Sequence, residues 1–384
     1  MRLFVFFYLF LTLALNLYVF RRLRTGLHWQ GKKAFGLAVF QVGMVGLLFS
    51  THFLRQHDGA LPVRWIAAAA FSWLAIMMWT LALGLLTDLW NLGVAAAAMR
   101  NPARRRWQVA PRLFVRALAL SVAVVSVWGW VEARSVGLKT VEIRFPNWPE
   151  HAPPLRIAHL TDLHLGPLPD QRRIWNRMMR LLEKAEPDLI VATGDFIDAP
   201  VGDLSSYMRE FAALDPPLGK FAVLGNHEYI VGETRSVEAL RGFGFILLRG
   251  ENQELAHGNT PFRIAGVDDS VGRFFHSPCF DDETLALPDD PARPWTVLLK
   301  HQPIVNPAAT DHFDLQLSGH LHGGQIFPFH IAVRGLYRAW TGLARLNDTA
   351  WLYTSPGIGT WGPPLRFLAR PKVVVLVVTH GREP

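Results

Sequence analysis

Cysteine is almost absent from this 384-residue sequence, where Cys279 is the only one. A single cysteine cannot form an intramolecular disulfide, and it cannot build a thiolate metal cluster. Acidic residues are just as scarce in the first 131 positions, which hold only Asp58 and Asp88 against 14 of the 39 lysines and arginines. The remainder holds 25 basic and 29 acidic residues, so the formal charge of +8 divides into +12 and −4. The second part therefore lacks the basic surplus that would favour nucleic acid, and no nucleic-acid partner is expected.

Long apolar runs dominate the first 131 residues. Four of them have the length and composition of membrane spans: residues 4–20, 34–54, 65 to about 96, and 113–131. A helix needs roughly 20 apolar residues to cross a hydrocarbon core of about 30 Å. Basic residues follow the first run instead of preceding it, which favours a retained helix over a cleaved signal peptide. The sequence therefore predicts a multi-span transmembrane region of about four helices over residues 1–131, in an integral membrane protein of the bacterial inner-membrane type.

Lysine and arginine are unevenly distributed among the loops of this region. Five of them lie in residues 21–33 and five in residues 100–112, whereas only Arg55 and Arg64 lie between the second and third runs. Basic loops stay cytoplasmic. With four spans, the chain beyond residue 131 is then predicted to be extracytoplasmic. The third run fits either one tilted helix or a helix with an interfacial piece. If the number of spans differed by one, the chain beyond residue 131 would lie on the opposite side of the membrane.

Strand and helix patterns alternate in the second part of the chain. Apolar runs typical of buried strands alternate with helical periodicity, and four prolines between residues 146 and 154 precede them. The pattern predicts a layered α/β domain over residues 155–384, with a linker over residues 132–154 leading into it. The strands that carry polar blocks are predicted at residues 155–161, 188–193, 220–224, 296–300 and 315–318. Open α/β sheets place their sites where strands end.

Five short polar blocks follow these strands. In chain order they are Asp162-Leu163-His164, Gly194-Asp195, Gly225-Asn226-His227-Glu228, His301, and Gly319-His320-Leu321-His322. Carboxylate, imidazole and amide groups without a thiolate suit divalent ions such as Mn, Fe or Zn. Ligands of these kinds in this order are what two adjacent divalent metals need, and two-metal sites hydrolyse phosphate esters.

The blocks resemble the signature of the calcineurin-like metallophosphoesterases, which runs D-x-H, G-D, G-N-H-[ED], H, G-H-x-H. All five are present in order between Asp162 and His322. The tail, which contains Gly357-Ile358-Gly359-Thr360, Pro363-Pro364-Leu365-Arg366 and Arg370-Pro371, is similar to the membrane-associated branch, the transmembrane proteins with a metallophosphoesterase domain. The resemblance implies a four-layer α/β/β/α sandwich, in which two mixed sheets lie between helices.

The resemblance also implies a role for each ligand. Asp195 would bridge two divalent ions, since one carboxylate has two oxygens. The other ligands would divide into two sets, with Asp162, His164 and His322 completing one ion and Asn226, His301 and His320 completing the other. Such a pair of ions holds a phosphoryl group and activates a water as hydroxide. The seven ligands do not determine which of Mn, Fe or Zn is bound.

His227 is not needed as a ligand in this scheme. In the matching motif the histidine after the asparagine faces the leaving group, as a general acid or a stabiliser of the transition state, so His227 is predicted to be catalytic together with Asp195. Glu228 is one residue that could orient its imidazole. Asp162 and Asp198 are the other candidates, and the sequence does not rank them.

Residues 326–367 are rich in aromatic and basic side chains. Aromatic rings suit the headgroup zone of a bilayer, and arginine suits lipid phosphate. We therefore expect a substrate rim beside the metals that rests on the membrane. Its predicted members are Arg334, Arg338, Trp361 and Arg366.

The sequence thus favours a membrane-anchored, dinuclear-metal phosphoesterase. Its expected substrate is a phosphodiester or pyrophosphate of a lipid or lipid-linked molecule. One alternative is a cytoplasm-facing UDP-diacylglucosamine-type pyrophosphate hydrolase of lipid A synthesis, which would require the opposite orientation. Another is a non-catalytic membrane sensor, which the complete set of seven ligands disfavours. The oligomeric state is left open.

Overall fold

The computed structural model describes residues 2–54, 61–166, 170–198, 204–290, 292–337 and 339–381. Their contacts divide the chain into two compact units. The first consists of residues 1–128 and 362–364, and the second of residues 129–361 and 365–384.

The first unit is helical. It is formed by α1 (Arg2–Leu27), α2 (Gly31–Leu54), α3 (Leu61–Arg100) and most of α4 (Pro111–Ala133). Among the residues searched, three segments are long and apolar enough to cross a membrane: Gly31–Ser50, Trp65–Arg100 and Pro102–Ala133. The predicted span at residues 4–20 lies within α1. Most of the side chains in its first half are outside the described residues. The third run is one continuous helix, and no separate interfacial piece divides it.

An acidic residue inside the third apolar run has close partners. The carboxylate of Asp88 in α3 accepts a hydrogen bond of 2.9 Å from the hydroxyl of Tyr18, and it forms an ion pair with Arg22 of α1. Arg22 also donates to the carbonyl of Gly84 across 3.0 Å. A charge in an apolar helix is costly unless it is paired, so these contacts account for Asp88 within a run of membrane-span composition.

The second unit contains two six-stranded sheets. The first has the strand order β1-β12-β2-β3-β4-β5 and the second the order β10-β11-β9-β8-β7-β6. The strands are β1 (Gly137–Phe145), β2 (Leu155–Leu160), β3 (Leu189–Thr193), β4 (Lys220–Val223), β5 (Ile246–Leu247), β6 (Glu251–His257), β7 (Thr260–Gly266), β8 (Trp295–Leu299), β9 (Leu315–Ser318), β10 (Gly342–Arg345), β11 (Trp351–Thr354) and β12 (Lys372–His380). Both sheets mix parallel and antiparallel pairs, which agrees with the predicted mixed α/β fold.

The segment predicted as a linker contributes a strand to the first sheet. Strand β1 lies at Gly137–Phe145, inside residues 132–154, and pairs in parallel with β12 along nine residues. The sequence prediction missed it because only Ile143 and Phe145 are buried, so it lacks the continuous apolar run of the central strands.

Helices cover the outer face of the first sheet. They are α5 (Gln171–Ala185), α6 (Leu204–Ala212), α7 (Asn226–Val231) and α8 (Glu233–Gly242). Apolar residues of α5 recur at helical spacing, with Ile174, Met178 and Leu181 buried against the sheet. A second core, which includes Trp148, Phe262 and Trp295, lies between the two sheets. The short helix α9 (Glu283–Ala286) packs on the other face of the second sheet, and α10 (Phe329–Leu336) follows the last polar block.

Candidate metal centre

The five polar blocks lie at the carboxyl ends of neighbouring parallel strands. In the first sheet β2, β3 and β4 are parallel neighbours, and in the second sheet β8 and β9 are. Parallel strands end at the same edge of a sheet, so their polar blocks are brought together. Main-chain hydrogen bonds fix the loops, because the amide of His164 donates to the carbonyl of Asp195 and the amide of Gly319 donates to that of His301.

Several predicted ligands have an unusual backbone conformation. Positive φ angles of 50–71° occur at five of the seven, namely Asp162, His164, Asp195, His320 and His322. Residues other than glycine rarely adopt this left-handed region, and each such residue costs about 1–3 kcal/mol. The concentration of strained residues at the ends of these strands indicates a functional site held in place by the surrounding fold.

Asp162, His164 and His322 form the first cluster. Their ligand atoms lie within 4.8 Å of one another. The Nε2 atoms of the two histidines are 3.0 Å apart, and Nε2 of His322 lies 3.5 Å from Oδ1 of Asp162. All three residues are buried.

Asp195, Asn226, His301 and His320 form the second cluster. Nε2 of His301 lies 3.2 Å from Oδ2 of Asp195 and 3.1 Å from Nδ1 of His320. The side-chain oxygen of Asn226 is 3.0 Å from both of these histidine nitrogens. Asp195 also reaches the first cluster, since its Oδ2 lies 3.8 Å from Nε2 of His164. The structure therefore brings all seven predicted ligands together, with Asp195 between the two sets.

The distances between these atoms fit bound cations. Ligands placed about 2.0–2.2 Å from a common ion are separated by about 3.0–3.5 Å in tetrahedral or octahedral geometry. The closest separations in the two clusters lie between 3.0 and 3.5 Å. The donor set of oxygen and imidazole nitrogen without sulfur suits Mn, Fe or Zn.

The ionisation of three of the four histidine ligands also suits metal binding, whereas Asp195 holds the pKa of His301 well above its usual range against the effect of burial. Burial, with nearby positive groups, lowers the pKa of His164 and of His320 to about 4, and lowers the pKa of His322 well below its usual range. These rings are therefore neutral at pH 7 and can donate a lone pair. At the second cluster burial alone would raise the pKa of Asp195, but His301 and His227 hold it well below its usual range.

His227 is paired with Asp198. Its Nδ1 lies 2.6 Å from Oδ1 of Asp198, and its main-chain amide donates to Oδ1 of Asp195 across 2.9 Å. Burial alone would lower the pKa of His227, but the carboxylates of Asp195 and Asp198 raise it to about 9. Of the candidates that the sequence could not rank, Asp198 is therefore the partner of this imidazole. His227 also joins His164 and Asp195 in a third group of potential ligand atoms within 4.8 Å.

Glu228 does not orient His227, so that possibility is wrong. Its carboxylate accepts hydrogen bonds of 2.8–3.1 Å from the main-chain amides of Asp195, Phe196, Ile197 and Gly225. Burial and the nearby Asp195 raise its pKa to about 7, although these amides favour the charged form. Glu228 thus holds the two loops that present Asp195 and Asn226.

The predicted substrate rim is only partly found at the surface. Trp361 is 52% exposed, and its ring centroid lies 6.0 Å from that of His227. Arg334 is exposed on α10, and Arg338 lies outside the described residues. Arg366 is fully buried, so its assignment to the rim is wrong. Its guanidinium donates to the main-chain carbonyls of Gly359, His322, Pro356 and Ala369, which enclose it.

Gln325 is a site residue that the sequence analysis missed. Its side-chain nitrogen donates to the carbonyl of Trp361 across 2.9 Å, and its side-chain oxygen accepts from the amide of Trp361 across 3.0 Å. This pair of bonds holds Trp361 beside the histidines. The only sequence signal for Gln325 is its position directly after Gly323 and Gly324. A single glutamine in a loop has no distinctive pattern.

Two mixed sheets that bring a His/Asp/Asn centre to the ends of their strands provide the ligands that a metal-dependent phosphoester hydrolase needs. Residues 155–324 match the family model for the calcineurin-like phosphoesterases. An uncharacterised metallophosphoesterase of Aquifex aeolicus is 40% identical over 225 residues, which are 58% of this chain and 85% of that protein. Another from Campylobacter jejuni is 30% identical over 77% of this chain and 78% of its own length. The chain belongs to the calcineurin-like metallophosphoesterases.

The similarity extends to membrane-associated members of the family. A protein of Danio rerio named transmembrane protein with metallophosphoesterase domain is 30% identical over 69% of this chain and 62% of its own length. Together with the three helices of membrane-span length and composition, this places the chain in the membrane-associated branch.

Proposed function

We propose that this protein is a membrane-anchored phosphoesterase that hydrolyses phosphodiester or pyrophosphate bonds of a lipid or lipid-linked substrate. The seven residues of the two clusters would hold two divalent ions. When bound, such ions supply Lewis-acid stabilisation of phosphoryl oxygens and lower the pKa of a coordinated water.

In this proposal the protein itself supplies the proton for the leaving group. The raised pKa of His227, about 9, keeps its imidazole protonated at neutral pH in the absence of bound cations. Asp198 holds Nδ1 of the ring, which leaves Nε2 as the nitrogen available to the leaving oxygen. General acid catalysis of this kind contributes roughly 10²–10⁴-fold to rate. Asp195 also holds His227, because its carboxylate accepts a hydrogen bond from the main-chain amide of His227.

The observation that carries the lipid proposal is the attachment of the loop after Trp361 to the end of α4. The amide of Arg366 donates to the carbonyl of Gly129 across 3.0 Å. Farther along, the amides of Leu368 and Ala369 donate to the carboxylate of Glu132 across 3.2 and 2.7 Å. Helix α4 has the length and composition of a membrane span. Gly129 and Glu132 belong to the second unit, so a loop that borders the site is tied to chain that directly continues a helix of this kind. This connection supports a membrane-embedded substrate.

We further propose that the catalytic unit is extracytoplasmic. The two loops with five basic residues each would stay in the cytoplasm, and four spans would then bring the chain out at Ala133. This orientation favours a substrate exposed on the outer side of the membrane.

The function can be tested on the full-length protein in lipid nanodiscs. Exhaustive chelation, confirmed by metal analysis, should abolish hydrolysis of bis-nitrophenyl phosphate, and Mn should restore it. Activity that survives complete metal removal would contradict the mechanism.

The lipid specificity has its own experiment. Trp361→Ala should reduce turnover of a phospholipid or lipid pyrophosphate at least tenfold more than turnover of the soluble ester. Trp107→Ala is a matched control, because Trp107 is 53% exposed but lies in the segment between α3 and α4. Equal losses on both substrates would contradict the lipid proposal and leave the metal mechanism intact.

A further inference from the structure

Five arginines lie on residues 100–112, which connect α3 to α4 and are called the basic segment below. They are Arg100, Arg104, Arg105, Arg106 and Arg112, and all five are exposed. Within the part of the chain that the structure describes, none of them forms an ion pair. The sequence has no acidic residue between Asp88 and Glu132, and Asp88 is already paired with Arg22. The positive charge of the basic segment is therefore not balanced within that stretch of the chain.

The basic segment is folded against α3. Three of its arginines lie in a short 3₁₀ helix at Pro102–Trp107, in which no residue is buried. The segment turns back along α3, because Nε1 of Trp90 donates to the carbonyl of Trp107 across 3.0 Å. Next to Trp90, the side chain of Asn91 accepts from the amide of Val109 across 2.7 Å and donates to its carbonyl across 3.3 Å. These contacts fix the chain that carries the arginines and leave their side chains at the surface.

The turn between α1 and α2 adds positive charge at the same end of the helical unit. Gly26, near the end of α1, packs against the start of α4, since a Cβ there would lie 2.6 Å from the carbonyl oxygen of Pro111. Four of the five basic residues at positions 21–33 are exposed, and the fifth, Arg22, has an acidic partner. These four and the five of the basic segment therefore place nine exposed cations at one end of the helices.

This end of the unit matches the headgroup level of a bilayer. Helix α3 has 40 residues. At 1.5 Å per residue it is about 60 Å long, which is twice the hydrocarbon thickness of roughly 30 Å, so part of it must extend beyond the hydrocarbon. Leu89 and Trp90 of α3, where the basic segment is attached, are 66% and 56% exposed. Tryptophan is enriched at the boundary between hydrocarbon and headgroups, so arginines beside Trp90 are expected near lipid phosphates.

We propose that the basic segment, together with the turn between α1 and α2, binds the phosphate groups of anionic lipids at the membrane surface. Charge complementarity carries the proposal, because each basic residue close to an anionic membrane surface strengthens association roughly fivefold. The tendency of basic loops to stay in the cytoplasm explains the number of positive residues, but it does not explain why they lie on a folded segment. The inference is independent of the catalytic chemistry and of the lipid nature of the substrate.

The test measures lipid selectivity of the full-length protein in phosphatidylcholine nanodiscs. Electron paramagnetic resonance gives the immobilised fraction of spin-labelled phosphatidylglycerol and of spin-labelled phosphatidylcholine. The wild type should prefer phosphatidylglycerol by roughly fivefold or more at low salt. The combined variant Arg104→Gln, Arg105→Gln and Arg106→Gln should reduce this preference to about twofold or less. An unchanged preference in the variant would overturn the proposal, and so would the lack of a preference in the wild type, whichever other anion the basic segment binds.

Two combined variants are the controls. Arg173→Gln, Arg180→Gln and Arg241→Gln together remove the same charge from exposed positions on α5 and α8, and they should leave the preference at the wild-type value. Lysine at all three positions of the first variant keeps the charge and should also keep the preference. Loss in the α5 and α8 variant would show a general effect of net charge. Loss in the lysine variant would show an effect of structure, and either result would overturn the proposal.

Salt provides a test on the wild type, which covers the case in which the glutamine variant of the basic segment does not insert correctly. The Debye length falls from about 10 Å at 0.1 M salt to about 3 Å at 1 M. The preference for phosphatidylglycerol should therefore decline over this range of NaCl concentration. A preference that is unchanged at the higher concentration would exclude charge complementarity and overturn the proposal.

Discussion

Oδ1 of Asp198 lies 2.6 Å from Nδ1 of His227, and both side chains are buried. This carboxylate is therefore the group that orients the imidazole, and with Asp195 it raises the pKa of His227 against the effect of burial.

Replacing Asp198 with asparagine should slow the enzyme and change its pH profile. The amide keeps the shape but removes the charge, so the pKa of His227 should fall. A general acid works below its pKa, so the loss of kcat at high pH should begin at lower pH in Asp198→Asn than in wild type. We expect a roughly 10–100-fold loss of kcat at neutral pH with unchanged metal content. An unshifted alkaline limb would show that His227 is not the group whose protonation limits the rate.

His227 and Asp195 should differ in what their loss does to metal content. Asp195→Asn removes the charge that lies between the two clusters and should empty or weaken at least one metal position. His227→Ala should keep both ions and lower turnover by roughly 10²–10⁴-fold.

Metal analysis of the purified variants distinguishes the two roles. His227 shares a group of potential ligand atoms with His164 and Asp195, so loss of an ion from His227→Ala would make His227 a ligand. In that case its assignment as a general acid would be withdrawn.

Gly225→Ala should disable the site through a single methyl group. A Cβ at this position would lie 2.3 Å from Oδ1 of Asp195, although the φ of −93° is accessible to alanine. The carboxylate must therefore move, and misplacement by about 1 Å can cost roughly 10²-fold in rate. Gly335→Ala in α10 is the control, since an added Cβ there would meet open space among the described residues outside its own helix backbone. Wild-type kcat in Gly225→Ala would show that Asp195 tolerates displacement.

The orientation of the catalytic unit can be measured with reporters fused after residue 384. A periplasm-active reporter should be active and a cytoplasm-active one silent. Neutralising Arg104, Arg105 and Arg106 should weaken this preference, because the local excess of basic residues sets the orientation. Activity of only the cytoplasmic reporter would reverse the proposed side and revive the nucleotide-linked lipid as a substrate.

The sequence by itself determined the class of the protein and the residues of its centre. The polar blocks at the ends of the predicted strands indicated where the site lies, because parallel strands end at one edge of a sheet. The resemblance of these blocks to the family signature implied the ligand set, which is Asp162, His164, Asp195, Asn226, His301, His320 and His322. The uneven distribution of charge also separated the helical region from the rest. Strand β1 was missed, since its exposed residues hide the apolar pattern of a core strand.

Only the tertiary structure decided which groups support the centre. Asp198 was chosen over Glu228 and Asp162 as the partner of His227 by a distance, and Glu228 proved to bind main-chain amides. Arg366 looked like a surface residue because arginine is rarely buried. Its burial depends on carbonyls from two segments, the loop after β9 and the connection between β11 and β12. Contacts between residues far apart in the chain leave no periodic pattern, and for this reason the sequence could not reveal them.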